Sequence, residues 1–230
     1  MTRITCLTFD LDDTLWLCAP VIERAEQRFY RWLQERYPRI TGRYDFDALI
    51  EHRKAYMQAF PELHHDLTRL RKAWIGVLGA EAGYGDEPVE EGFRTFWLAR
   101  NEVEPFEEAL AALATLSVDY TIGAITNGNA DVHTIGIGHY FDFVVTSASA
   151  GAAKPHPDIF DAAVLAAGVS ADAMVHVGDD PVRDVRGAQE AGLRAIWVNT
   201  HAQSWPGGPD PDAEIRHMGE LESVLARLAG

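Results

Sequence analysis

Acidic and other polar side chains follow predicted strands at four places in this sequence. Residues 10–14 (DLDDT) follow the apolar segment 3–9, and residues 178–180 (GDD) follow another apolar run. Thr126 with Asn127, and Lys154, follow two more. A turn, a helix cap or a surface lysine explains any one of these groups, but not all four. Because ligand crevices in open α/β sheets lie outside the carboxyl ends of the strands, we expect the groups to converge.

These residue types suit phosphoryl transfer with a divalent cation. Three or four neighbouring carboxylates cannot all stay ionised without a counter-charge, because their mutual repulsion raises their pKa values. Mg²⁺ prefers oxygen ligands and commonly takes one or two protein carboxylates together with substrate phosphate and water. The sequence therefore predicts a Mg²⁺ site at this edge of the sheet.

The remaining groups fit the substrate and the nucleophile. Lys154 supplies a positive charge that balances phosphate and nucleophile. The Thr126 hydroxyl and the Asn127 amide are donors for phosphate oxygens. An aspartate accepts a phosphoryl group and is freed by water in a second step. Asp10 and Asp12 share a face if the strand stays regular, but turn geometry decides their orientation at a strand end.

Several of these residues also have ordinary structural interpretations. Asp13 fits a turn position. Asp180 precedes Pro181, so an N-cap with proline in the first helical position competes with a metal ligand there. Asp184 lies in the first helical turn, where the helix dipole favours an acid. His176 lies inside an apolar strand and is interpreted as a hydrogen-bonded core residue.

Strands and helices alternate from residue 102 onward. This alternation predicts parallel βαβ units with right-handed crossovers. We therefore expect an α/β fold, a doubly wound (Rossmann-like) parallel sheet built from residues 1–15 and 102–230. Its predicted strands are 3–9, 120–126, 143–146, 174–177 and 194–198. One predicted helix begins at Pro105, and three more cover 157–167, 181–192 and 221–228. The segment 204–212 is predicted to be a loop.

The segment 16–101 is predicted to be a helical insertion after the first strand. Its apolar residues recur with the 3.6-residue period, in about four helices broken near 38–42, 61 and 83–88. Its many aromatic residues are interpreted as the core of this helical domain.

Composition narrows the class of partner. The 230 residues are 47% hydrophobic and carry a formal net charge of −15, which disfavours nucleic acid and anionic membranes. A small phosphorylated metabolite remains compatible, because a bound cation reverses the local field. Cys6 and Cys18 are expected to be reduced thiols of a cytoplasmic protein. We expect neither a secretory signal nor a membrane span, since no apolar run approaches roughly 20 residues.

The four groups together resemble the motifs of the haloacid dehalogenase-like (HAD) hydrolases. Residues 10–14 resemble the first motif, Thr126-Asn127-Gly128 the second, Lys154-Pro155 the third, and GDD at 178–180 with Asp184 the fourth. The resemblance covers most of the predicted core. It implies a sheet in which the first and fourth strands are neighbours.

The resemblance also implies residue roles. Asp10 is the nucleophile and a Mg²⁺ ligand. Asp12 is the general acid and base, and its backbone carbonyl also binds the metal. The resemblance makes Asp179 a further metal ligand, with Asp180 or Asp184 in support. The implied phosphate-binding residues are Thr126, Asn127 and Lys154.

The insertion resembles the helical cap of the first HAD subfamily, which closes over small phosphorylated substrates and excludes water. The resemblance also bears on the reaction. The family's dehalogenases lack an aspartate at the position of Asp12, and a carboxylate there fits phosphate-ester chemistry. The resemblance therefore favours a phosphatase. The alternatives are a 2-haloacid dehalogenase, a phosphomutase, or a non-catalytic ligand-binding member.

A finer resemblance concerns the substrate. Segments 9–16, 61–69, 124–129 and 176–180 resemble bacterial members that dephosphorylate the ribitylamino-uracil phosphate of riboflavin biosynthesis, and FMN. His65, Asp66 and Arg69, at the head of a predicted cap helix, are the predicted specificity residues. The alternative for them is an Asp66 helix cap with an ordinary i,i+3 pair to Arg69.

Overall fold

The computed structural model describes residues 2–228, and the chain divides into two compact units. One unit runs through Leu17 and resumes at Glu104, and we call it the core unit. The other is Cys18–Val103, which we call the helical unit.

The core unit contains a six-stranded sheet. Its strands are β1 (Cys6–Phe9), β2 (Thr121–Thr126), β3 (Phe143–Thr146), β4 (Met174–Gly178), β5 (Arg194–Val198) and β6 (Ala213–Ile215). They lie in the order β3-β2-β1-β4-β5-β6, and each neighbouring pair is parallel. The predicted doubly wound parallel sheet is confirmed, with β1 and β4 side by side as the resemblance implied.

The strand register places the polar residues that follow β1, β2 and β4 at the same edge of the sheet. Phe9 pairs with Ala124 of β2 on one side and with Val177 of β4 on the other. The Asp10 N–H donates to the Val177 carbonyl at 2.9 Å, so Asp10 leaves the sheet where the motif at 178–180 begins. All residues of β1 and β4 are buried, because the inner strands of a parallel sheet are covered on both faces. This burial accounts for the nearly continuous apolar runs in their sequences.

The helical unit contains five α-helices among the described residues. Its core consists of apolar and aromatic side chains at the 3.6-residue period, including Phe29, Leu33, Trp74, Leu78 and Phe96. The helices are α1 (Cys18–Arg36), α2 (Pro38–Thr41), α3 (Phe46–Ala59), α4 (Leu67–Glu81) and α5 (Val89–Arg100).

The α-helices of the core unit lie between its strands, except for the last one, which follows β6. They are α6 (Glu107–Leu116), α7 (Val132–Ile135), α8 (Ser147–Ala150), α9 (Pro157–Ala167), α10 (Gly187–Glu190) and α11 (Leu221–Leu228). The single helix predicted over 181–192 is instead a π-helical segment, Pro181–Arg186, followed by α10. Strand β6 was not predicted, because its three residues follow a loop rich in proline and glycine.

Two further expectations concern the chain as a whole. Among the residues that the structure describes, no helix combines the length and apolar composition that crossing a membrane requires. Both cysteines are free thiols, and burial raises the pKa of Cys6 to about 12.

Candidate active site

The loop after β1 carries the first group of polar residues. Asp10 is largely buried, with 8% of its surface exposed. Asp13 adopts a positive φ of 61°, and its N–H donates to the Trp16 carbonyl at 2.7 Å, which closes the loop. The Thr14 hydroxyl lies 3.3 Å from Asp179 Oδ1 and 3.5 Å from Asp10 Oδ2. Thr14 therefore links the carboxylates at the ends of β1 and β4.

Asp12 is held by an aromatic side chain from the same loop. The Trp16 indole Nε1–H donates to Asp12 Oδ1 at 2.9 Å, and Trp16 is fully buried. The Asp12 carboxylate thus has a defined position two residues beyond Asp10. The proposed contact of its backbone carbonyl with a metal stays a prediction.

Lys154 uses its three ammonium donors within the site. Nζ lies 2.6 Å from Asp10 Oδ1, 2.6 Å from Asp184 Oδ1 and 2.7 Å from the Ile125 carbonyl. Burial disfavours its charge, but Asp10 and Asp184 raise the pKa of Lys154 above its ordinary value. Lys154 therefore remains a cation although only 4% of its surface is exposed.

Asn127 positions Lys154. Its Oδ1 accepts the Lys154 backbone N–H at 2.7 Å, and its Nδ2 donates to the Lys154 carbonyl at 3.0 Å. The Asn127 amide is thereby engaged with the backbone, and its direct contact with phosphate stays a prediction. The buried Thr126 hydroxyl accepts the Gly128 N–H at 2.9 Å, which shapes the loop after β2.

Three carboxylates meet at the carboxyl ends of β1 and β4. One oxygen each from Asp10, Asp179 and Asp184 lies within 4.8 Å of the others. Asp184 is 2% exposed and also contacts His176 Nε2 at 3.3 Å and the Asp180 N–H at 2.9 Å. A residue one helical turn beyond the GDD motif therefore joins the acidic cluster.

Burial sets the protonation of the cluster. It raises the pKa of Asp10, an effect that Lys154 opposes and Asp184 reinforces. Burial and the nearby Asp184 and Asp13 raise the pKa of Asp179 to about 7. Burial opposes ionisation of Asp184 too, but Lys154 and His176 outweigh it and hold the pKa of Asp184 below its usual range. Burial lowers the pKa of His176, which is neutral near pH 7.

The cluster fits a divalent cation. With all groups ionised, the three carboxylates and the Lys154 ammonium leave two uncompensated negative charges in a mostly buried position. Hard oxygen donors of this kind are the ligands that Mg²⁺ prefers. Burial is the main cause of the raised pKa values of Asp10 and Asp179, and the neighbouring carboxylate of Asp184 adds to it.

Asp180 lies outside this cluster. Its Oδ1 accepts the backbone N–H groups of Val182 and Arg183, each at 2.8 Å, so it caps the following helical segment. Its role as a metal ligand stays a prediction, and the observed cap is the alternative foreseen from Pro181. The sequence also left the role of Asp184 open, because residue spacing does not tell a ligand from a residue in the first helical turn.

The predicted specificity residues lie in the helical unit. Asp66 caps α4, since its Oδ1 accepts the Arg69 backbone N–H at 2.9 Å. The Arg69 side chain is exposed, and His65 is half-buried just before the cap. Their role in substrate choice stays a prediction.

Two indole groups in the site were not anticipated from the sequence. Trp16 binds Asp12, and Trp197 Nε1–H donates to the Asp179 carbonyl at 2.8 Å. Trp16 is four residues beyond Asp12, a spacing that was visible but not used. Trp197 lies in β5, and only the order of the strands brings it beside Asp179.

Comparisons of the sequence and of the structure with known proteins agree on one family. A family model described as haloacid dehalogenase-like hydrolase matches residues 4–192. The 5-amino-6-(5-phospho-D-ribitylamino)uracil phosphatase YigB of Escherichia coli K12 is 33% identical over 97% of each chain. The phosphoserine phosphatase of Thermus thermophilus is 34% identical over 95% of this chain and 97% of that one.

A solved structure is also similar over its full length. The crystal structure of a 2-haloacid dehalogenase from Pseudomonas syringae pv. tomato DC3000 superposes with a TM-score of 0.92 at 40% identity. It covers 99% of this chain and 100% of that one. The family match and the full-length similarities agree with the four motifs and with the sheet order. The chain belongs to the haloacid dehalogenase-like hydrolases.

Proposed function

We propose that this hydrolase is a Mg²⁺-dependent phosphatase that hydrolyses small phosphate monoesters through a phospho-aspartate on Asp10. The observation that carries the proposal is the arrangement around Asp10. The buried Asp10 carboxylate is paired with Lys154 and stands beside the carboxylates of Asp179 and Asp184. A fourth aspartate, Asp12, lies two residues along the chain from Asp10. The relatives named as phosphatases support the same activity class.

In the first step, an Asp10 carboxylate oxygen attacks phosphorus and the bond from phosphorus to the ester oxygen breaks. The leaving alkoxide takes a proton from the Asp12 carboxyl group, so an alcohol departs. Lys154 holds Asp10 Oδ1 at 2.6 Å, which fixes the nucleophile. Asp12 serves as the general acid.

In the second step, water hydrolyses the acyl phosphate on Asp10. Asp12, now ionised, takes a proton from water as the oxygen attacks phosphorus. The bond between phosphorus and Asp10 breaks, inorganic phosphate leaves, and Asp10 returns to its carboxylate form. One residue thus acts as acid and then as base.

The carboxylates of Asp10, Asp179 and Asp184 would hold Mg²⁺, and the Asp12 backbone carbonyl and Asp180 remain predicted ligands. When bound, the cation neutralises the site and allows an anionic phosphate to approach the Asp10 carboxylate.

The proposed substrate is a small phosphorylated metabolite. The sequence segments that resemble riboflavin-pathway members, and the similarity to YigB over 97% of the chain, support 5-amino-6-(5-phospho-D-ribitylamino)uracil or FMN. The helical unit remains a predicted cap, with His65, Asp66 and Arg69 as predicted specificity residues. Free thiols at both cysteines suit the reducing cytoplasm as the proposed location.

Phosphate release from a panel of metabolites tests this function. The panel contains FMN, the ribitylamino-uracil phosphate, phosphoserine and glyceraldehyde 3-phosphate, with Mg²⁺ or with EDTA. We expect Mg²⁺-dependent turnover that disappears in Asp10→Asn. Turnover that survives in Asp10→Asn would mean that Asp10 is not the nucleophile, and the preferred ester would support or reject the riboflavin substrate.

A second candidate function is dehalogenation, which the 40% identity to a structure described as a 2-haloacid dehalogenase favours. A halide leaves as a stable anion and needs no proton, so an acid such as Asp12 has no task in that reaction. Chloride release from 2-chloropropionate distinguishes the two functions. Release in EDTA that persists in Asp12→Asn would establish the dehalogenase and overturn the phosphatase.

A further inference from the structure

The hydrogen bond between Trp16 and Asp12 has a chemical consequence for the acid. Trp16 is 0% exposed, and its indole Nε1 donates to Asp12 Oδ1 at 2.9 Å. An indole nitrogen is a donor only, and when buried it usually has an acceptor. Because Oδ1 accepts this bond, the proton that Asp12 gives up and takes back is directed to Oδ2.

The backbone of the loop holds both residues in register. The Asp13 N–H donates to the Trp16 carbonyl at 2.7 Å, and the Leu15 N–H donates to the Leu11 carbonyl at 2.8 Å. Asp12 and Trp16 also form an isolated bridge between their backbones. The indole, with only two side-chain torsions and no exposed surface, is therefore a rigid support for the Asp12 carboxylate.

Packing alone does not require the N–H group. A phenylalanine fills most of the same volume, but it has no donor and would leave Asp12 Oδ1 without this contact. The position of the nitrogen therefore indicates a role beyond the apolar core.

We propose that Trp16 is a positioning residue that orients Asp12 for proton transfer to the leaving group and from water. The inference rests on the proposed phosphatase function. It predicts a specific pattern, because the need for an acid depends on the ester. An alkyl phosphate must have its leaving oxygen protonated, whereas p-nitrophenyl phosphate releases a stabilised phenolate that needs little help.

The test compares kcat/KM on β-glycerophosphate and on p-nitrophenyl phosphate in wild type and in Trp16→Phe. The kcat/KM value reports the steps through the first irreversible one, here transfer to Asp10. We expect the alkyl ester to lose about 100-fold, the size of effect that a catalytic group misplaced by about 1 Å produces. We expect the aryl ester to lose only a few-fold, and Trp16→Phe to add little in an Asp12→Asn background.

Two further variants separate the hydrogen bond from packing. The analogue 3-benzothienylalanine at position 16 keeps the bicyclic shape and lacks the N–H, so it should give the same split between the esters if Trp16→Phe folds poorly. Trp205→Phe is the matched control, because the buried Trp205 Nε1 has no hydrogen-bond partner among the described residues. It should leave the ratio of the two esters unchanged.

The outcomes separate this inference from the proposed function. Equal losses on both esters, or no loss on either, in both position-16 variants would overturn the positioning role while leaving the phosphatase intact. A wild-type protein that hydrolyses neither ester, nor any metabolite of the panel, would overturn the proposed function and the inference with it.

Discussion

Gly178 leaves the space that the Asp184 carboxyl group occupies. A Cβ atom on residue 178 would lie well inside the 3.0 Å that Cβ atoms keep from other heavy atoms, against Cγ, Cβ and Oδ2 of Asp184. Asp184 holds Lys154 at 2.6 Å and contributes to the acidic cluster, so displacing it disturbs both. The glycine of the GDD motif is thus required by a side-chain contact rather than by backbone conformation.

We expect Gly178→Ala to weaken Mg²⁺ binding and to lower kcat/KM by about 10-fold or more, since misplaced catalytic groups cost factors of this order. The measurement is a Mg²⁺ titration of thermal stability, followed by activity. Gly76→Ala in α4 is the control, because a Cβ there makes only ordinary contacts, at 3.6 Å with Asp86 Oδ1 and at 3.7 Å with Val89 Cγ2. Unchanged Mg²⁺ affinity in a folded Gly178→Ala protein would contradict the assigned role of Asp184.

The pH dependence of the stability of the metal-free protein tests the raised pKa of Asp179. Its pKa is raised from the ordinary 3.8 to about 7, so the folded chain binds this proton more tightly than the unfolded chain. Its contribution therefore favours folding at low pH and declines as pH rises from about 4 to about 7. His176, with a lowered pKa, contributes in the opposite sense near pH 6.5.

Comparison with Asp179→Asn isolates the Asp179 contribution. In EDTA, we expect the melting temperature of the variant to rise relative to wild type between about pH 4 and about pH 7, because only wild type must ionise this carboxyl group. Adding Mg²⁺ at the higher pH should stabilise wild type more than the variant. A constant difference between the two proteins across the range would mean that Asp179 titrates normally.

Much of the core could be predicted because the relevant signals are local. The alternation of apolar runs and helical periodicity predicted five of the six strands, β1 to β5, and the sheet order followed from the family resemblance. Strand β6 escaped prediction, since its three residues pair only with β5, and local sequence carries little information for so short an edge strand.

The same distinction between local and long-range information applies to the site. Residue type and strand position indicated that Asp10, Asp12, Lys154 and Asp179 belong to one edge of the sheet. The partners that fix them, such as Trp16 and Trp197, depend on which oxygen or carbonyl a ring reaches after folding. Periodicity and spacing do not contain that information.

The paired hydrogen bonds between Asn127 and Lys154 provide another test. Replacement by alanine removes both bonds, at 2.7 Å and 3.0 Å, in the protein without substrate. We expect Asn127→Ala to lower the free energy of unfolding by about 1–3 kcal/mol and kcat/KM along with it, because the backbone groups of Lys154 lose their partners. Urea unfolding without ligand is the measurement.

The stability measurement separates two roles for Asn127. A side chain that only binds phosphate would leave the stability of the ligand-free protein unchanged. Ser147→Ala is the control, since its hydroxyl donates to the Asn127 carbonyl at 3.2 Å rather than to a backbone group of Lys154. We expect it to cost at most about 1 kcal/mol and to affect activity less.

The buried charges of the helical unit give a prediction independent of the active site. Glu26 is 3% exposed and accepts a hydrogen bond from Arg71 Nη2 at 2.6 Å. It also forms an ion pair with Arg53, whose Nε lies 3.2 Å from Glu26 Oε1. The Arg71 guanidinium lies 3.3 Å above the Phe96 ring, and burial lowers its pKa, an effect that Glu26 opposes. Two guanidinium groups therefore share one buried carboxylate.

We expect Glu26→Gln to destabilise the protein by about 3–5 kcal/mol, because it leaves a buried positive charge without its counter-ion. The matched control is Glu51→Gln, which breaks the exposed Lys54–Glu51 pair and should change stability by at most about 0.5 kcal/mol. Urea unfolding monitored by tryptophan fluorescence compares the two, since Trp74 lies in the core of the same unit. If both variants lose equally little stability, water must reach Arg71 and Arg53. The Glu26 carboxylate would then not be the group that links α1 to α3 and α4.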